Sequence, residues 1–375
     1  MKHTRVEATS PAHEKSLVVC LGPGGVGKTT ISAALALHAA LLGRAVDVMT
    51  VDPAPRLLDA LGLDLASSQP REVSLDGLDV SPIRASQSNR ARLRALRLDP
   101  KRTFDSIIAR YASSDRARDI ILENRIYRNL SGALAGVGDY MAMEKLLELA
   151  DDPATDLVVL DTPPATEAIE FLDAPRRLLE LLNSRAVSLL GAPAGILRSQ
   201  LRMVDIAARA ILSAFDRVTG LKLLGDIQAF VRSFDGLYQG FAARAERAQE
   251  KLRAPDTAIV MVTTAESGRV AQSHEFIEAL DRAGLKIAAL IVNRVMPDLP
   301  DASELAPLKI SPTLKRKLKR NLADYAALKK REETSLKSLR KSLTSGTVLM
   351  VAPELGHEPR TIADLAAIGR SLRPA

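Results

Sequence analysis

The chain has 375 residues with a net charge of +7, 46% hydrophobic content, 3% aromatics, a single cysteine and no tryptophan. That length accommodates one large α/β domain or two ordinary ones, with ample core either way. No stretch approaches the roughly 18 uninterrupted apolar residues of a membrane span, residues 1–15 are polar where a signal peptide needs an apolar centre, and one cysteine excludes an intrachain disulfide framework or cysteine zinc site, so the expected address is a reducing cytoplasm, with attachment to a membrane surface left open.

After a flexible tail over residues 1–15, the apolar run Leu17–Leu21 reads as a buried strand, and Thr30 to Leu42 reads as a helix. Between them lies Gly22-Pro23-Gly24-Gly25-Val26-Gly27-Lys28-Thr29, a complete G-x-x-x-x-G-K-[ST] loop in the strand–loop–helix context that the motif requires. Glycines let successive backbone N–H groups turn inward around a phosphate, and the helix N-terminus adds its positive end. Lys28 can reach the outer phosphates and the Thr29 hydroxyl can ligate Mg²⁺. The loop therefore predicts binding of a nucleoside triphosphate.

Gly43 marks a stop, and Ala45–Val51 reads as a second buried strand ending in Asp52-Pro53-Ala54. Leu78–Ile83 reads as a further short strand, residues 88–150 as helical, and Asp156–Leu160 as a strand closed by Asp161. From Ala168 to about Arg253 no strand pattern appears. Sheet grammar resumes with Ala258–Val262, a helix near Arg269–Ala283, Ile287–Val292, Thr347–Val351 and a last helix from Arg360. Strands alternating with helices predict an α/β fold, a doubly wound, mostly parallel sheet of the P-loop NTPase kind, with its site at the strand C-termini. Residues 168–253 are then a helical subdomain inserted on that sheet, and 303–343 a basic helical segment, within one domain over 16–373. Between Lys309 and Lys341 there are 12 Lys/Arg against 3 acidic residues, so this segment carries more than the whole net charge.

Phosphoryl transfer needs positioning, charge neutralisation and an oriented nucleophile. Asp161 stands where a Walker B carboxylate holds Mg²⁺ directly or through water. Asp52 stands where a carboxylate can orient the attacking water, and the Asn293 amide can read an adenine edge through its donor and acceptor. Strand-end Asp residues also cap helices and Asn is common in turns, so each role draws its weight from the P-loop in the same chain.

Gly24–Thr30, Val51–Ala54 and Asp161–Pro164 resemble the P-loop, switch I and switch II of the ArsA-type anion-pump ATPases, a family that also contains the targeting ATPase for tail-anchored membrane proteins. Val292-Asn293-Arg294 and Val351–Leu355 are similar to its adenine-binding segments, which adds Arg294, Pro353 and Glu354 to the nucleotide contacts. Gly136–Met141 sits where the family has a short acidic motif. The resemblance covers about residues 16–373 and looks closest to bacterial single-domain members. It implies an ATP- and Mg²⁺-dependent hydrolase with Gly24, Gly25, Val26, Gly27, Lys28, Thr29 and Thr30 on phosphates, Thr29 and Asp161 on the metal, and Asp52 on the water. It also implies a dimer with facing sites that acts as a switch for a client protein.

The departures from the family are as informative. The lysine such loops carry just before Gly-Gly, which reaches the partner's phosphates, is here Pro23, and a histidine six residues after the switch II aspartate is here Glu167. Arg56 and Arg294 are the cations nearest the switch and adenine motifs, and pairing with a lysine-bearing paralogue is the other route to a trans-acting cation. Cys20 alone supports neither thiol capture of arsenite nor a zinc-clasped dimer. Leu189, Leu190, Ile196, Leu197, Met203, Ile206, Ile211, Leu212 and Phe215 form either a groove for an apolar client segment or an ordinary bundle core. The basic run Lys315–Arg320 and Lys329–Arg331 suits an anionic membrane slightly better than nucleic acid, since Tyr325 is its only aromatic. Two other classes stay open: a ParA/MinD-like positioning ATPase on membrane or nucleic acid, and a nucleotide-gated binding subunit with negligible turnover. His38 reads as packing and His357 as a minor contact to the nucleotide.

Overall fold

The computed structural model describes residues 11, 12, 14–54, 56–63, 69–78, 91–112, 114–124, 127, 137–163, 165–182, 240–300, 303 and 310–375. Most of the strand expected at Leu78–Ile83, the apolar positions from Leu189 to Phe215, and Gly136 and Pro164 of the two motifs lie outside them. The described chain forms two compact units, one of residues up to 97, 149–169 and 254–375, the other of 98–148 and 170–253.

The first unit is built on a nine-stranded sheet of order β3-β4-β2-β5-β1-β6-β7-β8-β9. Its strands are β1 (Leu17–Leu21), β2 (Ala45–Thr50), β3 (Arg71–Glu72), β4 (Arg92–Arg97), β5 (Leu157–Asp161), β6 (Thr257–Thr264), β7 (Ile287–Val295), β8 (Val348–Pro353) and β9 (Arg373–Pro374). The seven inner strands are parallel, and only the two-residue edges β3 and β9 run antiparallel. β1 and β5 are buried at every position, which is why both read as unbroken apolar runs rather than alternating ones. β1 pairs with β5 on one side and β6 on the other, so the loop after it opens where strand order reverses, the usual crevice for a ligand in such sheets.

The expectation of a helical 88–150 is corrected at its start, where Arg92–Arg97 is strand β4, paired with all of β2. The sequence Arg-Leu-Arg-Ala-Leu-Arg buries Leu93, Ala95 and Leu96. Of its arginines, Arg94 finds acidic partners, while Arg92 donates to the Ala154 carbonyl at 2.8 Å and Arg97 to the Pro53 carbonyl at 2.9 Å. Arg94 donates to both carboxylate oxygens of fully buried Asp47 at 2.6 Å, and again to Asp152 at 3.0 Å, while the Thr155 hydroxyl donates to Asp47 at 2.8 Å. A charge buried this deeply is tolerable only when paired and fully hydrogen-bonded. Ala12, expected in the tail, is buried, and its carbonyl accepts from Arg44 at 2.7 Å.

Helix α1 (Lys28–Leu41) runs behind β1 and is mostly alanine and leucine, with eleven residues buried. α2 (Arg56–Ala60) follows β2. On the other flank, α9 (Ser267–Arg282) follows β6, α10 (Pro312–Ser342) precedes β8, and α11 (Ile362–Ser371) packs against α1. α11 is started by a capping box: Asp364 N donates to the Thr361 hydroxyl, and the Asp364 carboxylate accepts from Thr361 N. Along the α1–α11 seam, Gly369 lies against the Ala34 carbonyl and the His38 side chain.

The second unit is helical in its described part: α3 (Pro100–Tyr111), α4 (Asp115–Glu123), most of α5 (Val137–Ala150), α7 (Ala174–Leu182) and α8 (residues 240–253), with α6 (Ala165–Leu172) bridging in sequence from the first unit. Ile108, Ile121, Tyr127, Tyr140 and Phe241 share its core. Inside it, Glu144 on α5 pairs with Arg244 on α8 and accepts from the Tyr140 hydroxyl, and Arg244 also donates to the Tyr111 hydroxyl at 2.9 Å.

Candidate functional site

The loop between β1 and α1 wraps the N-terminus of that helix. Gly27 is its left-handed N-cap, with φ of 89°, and a Cβ there would stand 2.4 Å from Asn293 Nδ2. Gly22 is under a tighter limit, because a Cβ would meet the Val262 carbonyl oxygen of β6 at 2.0 Å. Only glycine serves either position. Lys28 is buried and folds back over the loop, its ammonium donating to the Gly22 carbonyl at 2.9 Å and the Pro23 carbonyl at 3.1 Å. Burial lowers the pKa of that ammonium, against the pull of Asp161 and Asp52. Its partners are two neutral carbonyls, which a phosphate oxygen can replace.

Asp161 closes β5 beside the loop and is 1% exposed. Its Oδ2 accepts from the Thr29 hydroxyl at 2.8 Å and from the Thr50 hydroxyl at 3.0 Å. Its Oδ1 is buried with no hydrogen-bond partner. Burial pushes the carboxyl up to about 6, despite the two hydroxyls and Lys28. A buried carboxylate oxygen without a donor, next to a threonine hydroxyl at a helix N-terminus, is a donor set fitted to a hard divalent cation such as Mg²⁺. The residues present therefore fit a metal-bound nucleoside triphosphate. Thr162, next in the chain, is pinned to β1 by its hydroxyl, which donates to the Cys20 carbonyl at 2.8 Å. Cys20 itself is buried, and desolvation pushes its thiol up to about 12, well away from reactivity.

Asp52 stands on the other side. Its Oδ1 accepts from Ala54 N at 2.9 Å and its Oδ2 from Arg56 at 3.2 Å. The arginine of that pair is 69% exposed, so the contact is weakly held.

A cavity of about 640 Å³ joins these parts. Gly24, Gly25, Gly27, Lys28, Thr29 and Thr30 form its floor, Asp52 and Arg56 one side, Thr162 another, and Arg294, Glu358, Pro359 and Arg360 the outer rim. It thus brings together most of the positions predicted from sequence. Val26 is buried and contributes its carbonyl, and Asp161 lies beneath Thr29.

The adenine-side expectations are redrawn. Asn293 is 7% exposed and does not line the cavity; its Nδ2 donates to the Val26 carbonyl at 2.9 Å and its Oδ1 accepts from Arg294 N at 3.0 Å. In this arrangement it ties β7 to the phosphate loop instead of offering its amide to a base. Pro353 and Glu354 likewise stand outside the lining, with Glu354 N donating to the Val295 carbonyl at 2.8 Å, and the following residues Glu358 to Arg360 take their place. Arg294 is on the rim in a left-handed conformation, with φ of 58°, at an irregularity in the β7–β8 pairing. For an arginine this conformation is uncommon, and such strain concentrates at functional positions.

Sequence reasoning missed Thr50, Arg360 and Arg269. Thr50 is the last residue of β2, and its register partner is Asp161 on β5, a pairing that no local pattern in the sequence shows. Arg269, near the start of α9, places its guanidinium beside Gly25, 3.7 Å from where a Cβ would be.

A phosphate-binding loop at the reversal point of a parallel sheet, with a buried carboxylate under its threonine, defines the P-loop nucleotide-binding class. The chain belongs to the anion-transporting ATPase family, whose model matches residues 15–325. Among curated proteins it is similar to ATPase get3 of Neurospora crassa, 28% identical over 162 residues, 43% of each chain. It is likewise similar to ATPase GET3 of Malassezia globosa, 27% identical over 212 residues, 56% of this chain and 57% of that one. These matches span about half the length of each relative, or less.

Proposed function

We propose that the protein is a Mg²⁺-dependent ATP hydrolase that works as a dimeric nucleotide switch, coupling ATP binding and hydrolysis to a client or partner protein. The observation that carries this reading is the unpartnered Oδ1 of buried Asp161 next to the Thr29 hydroxyl, within reach of a complete P-loop. Lys28 and the loop N–H groups would hold the β- and γ-phosphates, and Thr29 with Asp161 would hold Mg²⁺. The ion, when bound, neutralises phosphate charge that grows in the transition state.

Asp52 would orient the attacking water. To do so it exchanges its weak contact with Arg56 for a hydrogen bond from that water, and Arg56 is then free to meet phosphate oxygens. Asp52 and Thr162 both follow strand ends and line the cavity, where they would face the γ-phosphate. Ordering those loops on nucleotide binding and releasing them on hydrolysis is how such a site drives a conformational switch.

The test is phosphate release from Mg-ATP per protomer over a range of protein concentrations, with Lys28→Ala as the blank. A rate that climbs with concentration and vanishes in Lys28→Ala supports the self-dimerising hydrolase. A rate at the blank level at every concentration, with ATP still bound, rejects it.

Pro23 favours a second reading, a nucleotide-gated binding subunit with negligible turnover alone. The position that carries a trans-acting lysine in the resembled loops is here a buried proline whose carbonyl serves Lys28. Nucleotide-dependent pairing with a lysine-bearing paralogue, with turnover only in the mixed pair, would favour this second reading.

A further inference from the structure

Helix α10 is fastened at one end. Lys329 donates to Asp298 at 2.6 Å and to the Pro297 carbonyl at 3.3 Å, the Glu332 carboxylate accepts from Met296 N at 3.0 Å, His274 meets Ser338 at 3.2 Å, and Leu339 is fully buried. By contrast, no residue from 312 to 328 is buried, over a length of about 25 Å at 1.5 Å per residue.

This open half is amphipathic. Positions 314, 318, 322, 325 and 328 follow one stripe of a 3.6-residue helix, and they are Leu314, Leu318, Leu322, Tyr325 and Leu328. Leu314, Tyr325 and Leu328 are 45%, 50% and 49% exposed. The same stripe continues to Leu336 and Leu339, where it packs on the sheet unit. So one apolar face is core at the C-terminal end and open to solvent at the other. Within the open half, residues 312–328 hold five Lys/Arg against Asp324 alone, a net charge of +4, and Lys330 and Arg331 follow just beyond.

We infer that the N-terminal half of α10 docks on an anionic lipid surface, its stripe resting at the headgroup boundary and its cations against lipid phosphates. Charge complementarity selects this occupant. A second copy would bring one basic helix face against another. Nucleic acid would engage the cations and leave the leucine stripe in water. An anionic bilayer satisfies both features at once, with Tyr325 suited to the interface. Five side chains are a modest apolar footprint, so the docking is reversible, and it does not depend on the nucleotide reading of the cavity.

The test is co-sedimentation of the full chain with phosphatidylglycerol/phosphatidylcholine vesicles and with phosphatidylcholine vesicles alone. The chain lacks tryptophan, so Tyr325→Trp adds a single reporter whose emission shifts to the blue on insertion. Expected results are binding to the anionic vesicles only, with that blue shift, and at least a tenfold loss of affinity in both Leu314→Asp/Leu328→Asp and Lys317→Glu/Arg320→Glu. Both double variants change exposed residues and should keep wild-type circular dichroism and melting temperature. Lys28→Ala should bind vesicles as wild type does, which separates this outcome from the hydrolysis assay. The inference is overturned by no binding to anionic vesicles, by wild-type affinity in the leucine variant, by tighter binding to duplex DNA than to vesicles, or by a lipid-free dimer that Leu328→Asp disperses.

Discussion

The floor and the rim of the same cavity are built on opposite terms. At and beneath the floor, Lys28, Asp161 and Asn293 are all under a tenth exposed, and all their side-chain polar atoms except Asp161 Oδ1 have fixed partners. On the rim, the Arg56 and Arg360 side chains are 69% and 79% exposed, and each leans on a neighbouring carboxylate, Asp52 and Glu358. The floor is pre-organised at a cost in stability, which Asp161 shows by its raised pKa. The rim costs the fold little and can rearrange. Sites that recognise a constant triphosphate and respond to its hydrolysis need both kinds of surface.

The largest effect is expected at Lys28. Lys28→Ala should lower kcat/KM for ATP by at least about 100-fold, in line with losing a principal phosphate contact, while thermal stability stays near wild type. Steady-state phosphate release and a melting curve on one preparation check both halves. If turnover survives, the floor is not the reacting surface.

Asp161→Asn is the sharper test, because two readouts should move in opposite directions. Turnover should fall by a similar factor, yet the protein free of nucleotide and metal should become more stable at pH 7. The sign follows from a folded-state pKa of about 6, raised from the ordinary 3.8. The fold favours the protonated carboxyl, so Asp161 contributes fully below about pH 4, and that contribution is lost as pH rises through about 6. The stability gap between variant and wild type should therefore widen across pH 4 to 6 and level off on the order of 3 kcal/mol. Urea melts at half-unit pH steps measure it. A gap that is flat with pH would mean the carboxylate is solvated.

Asn293→Ala removes one buried and one half-buried hydrogen bond and leaves the Val26 carbonyl without its side-chain donor. About 1–3 kcal/mol of stability should go, with weaker ATP binding because the loop is no longer tied to β7. A variant that keeps its stability and changes only the preference between ATP and GTP would instead support the base-reading role expected from sequence. The smallest effect belongs to the rim. Arg360→Ala should change stability by under about 0.5 kcal/mol and raise KM for ATP severalfold at constant kcat. A 100-fold loss of kcat instead would make Arg360 a catalytic cation and remove the distinction between floor and rim.

The floor was legible in the sequence because it is local: eight consecutive residues dictate the loop, and the strands on either side are uninterrupted apolar runs. Asp52 and Asp161 were legible for a related reason, as polar ends of buried strands. The rim was not. Glu358, Pro359 and Arg360 reach the cavity through the chain between β8 and α11, and no local pattern fixes where such a connection lies. β4 was missed because arginines alternating with leucine and alanine look solvated until Asp47 and Asp152 are known to face Arg94, and carbonyls Arg92 and Arg97. Asn293 was legible by its position at the end of β7, but its partner Val26 was not, being 267 residues away.

The seam between α1 and α11 bears on how much of the chain can be trimmed or varied. Replacing a helical glycine with alanine ordinarily gains about 1 kcal/mol. At Gly369 the added methyl would stand 2.8 Å from the Ala34 carbonyl oxygen and 2.9 Å from His38 Cβ, so the rule inverts. The helix that begins at Lys28 is thus braced by a segment 44 residues beyond the family match. Shortening the protein to its recognisable family core would remove the brace and keep the motif.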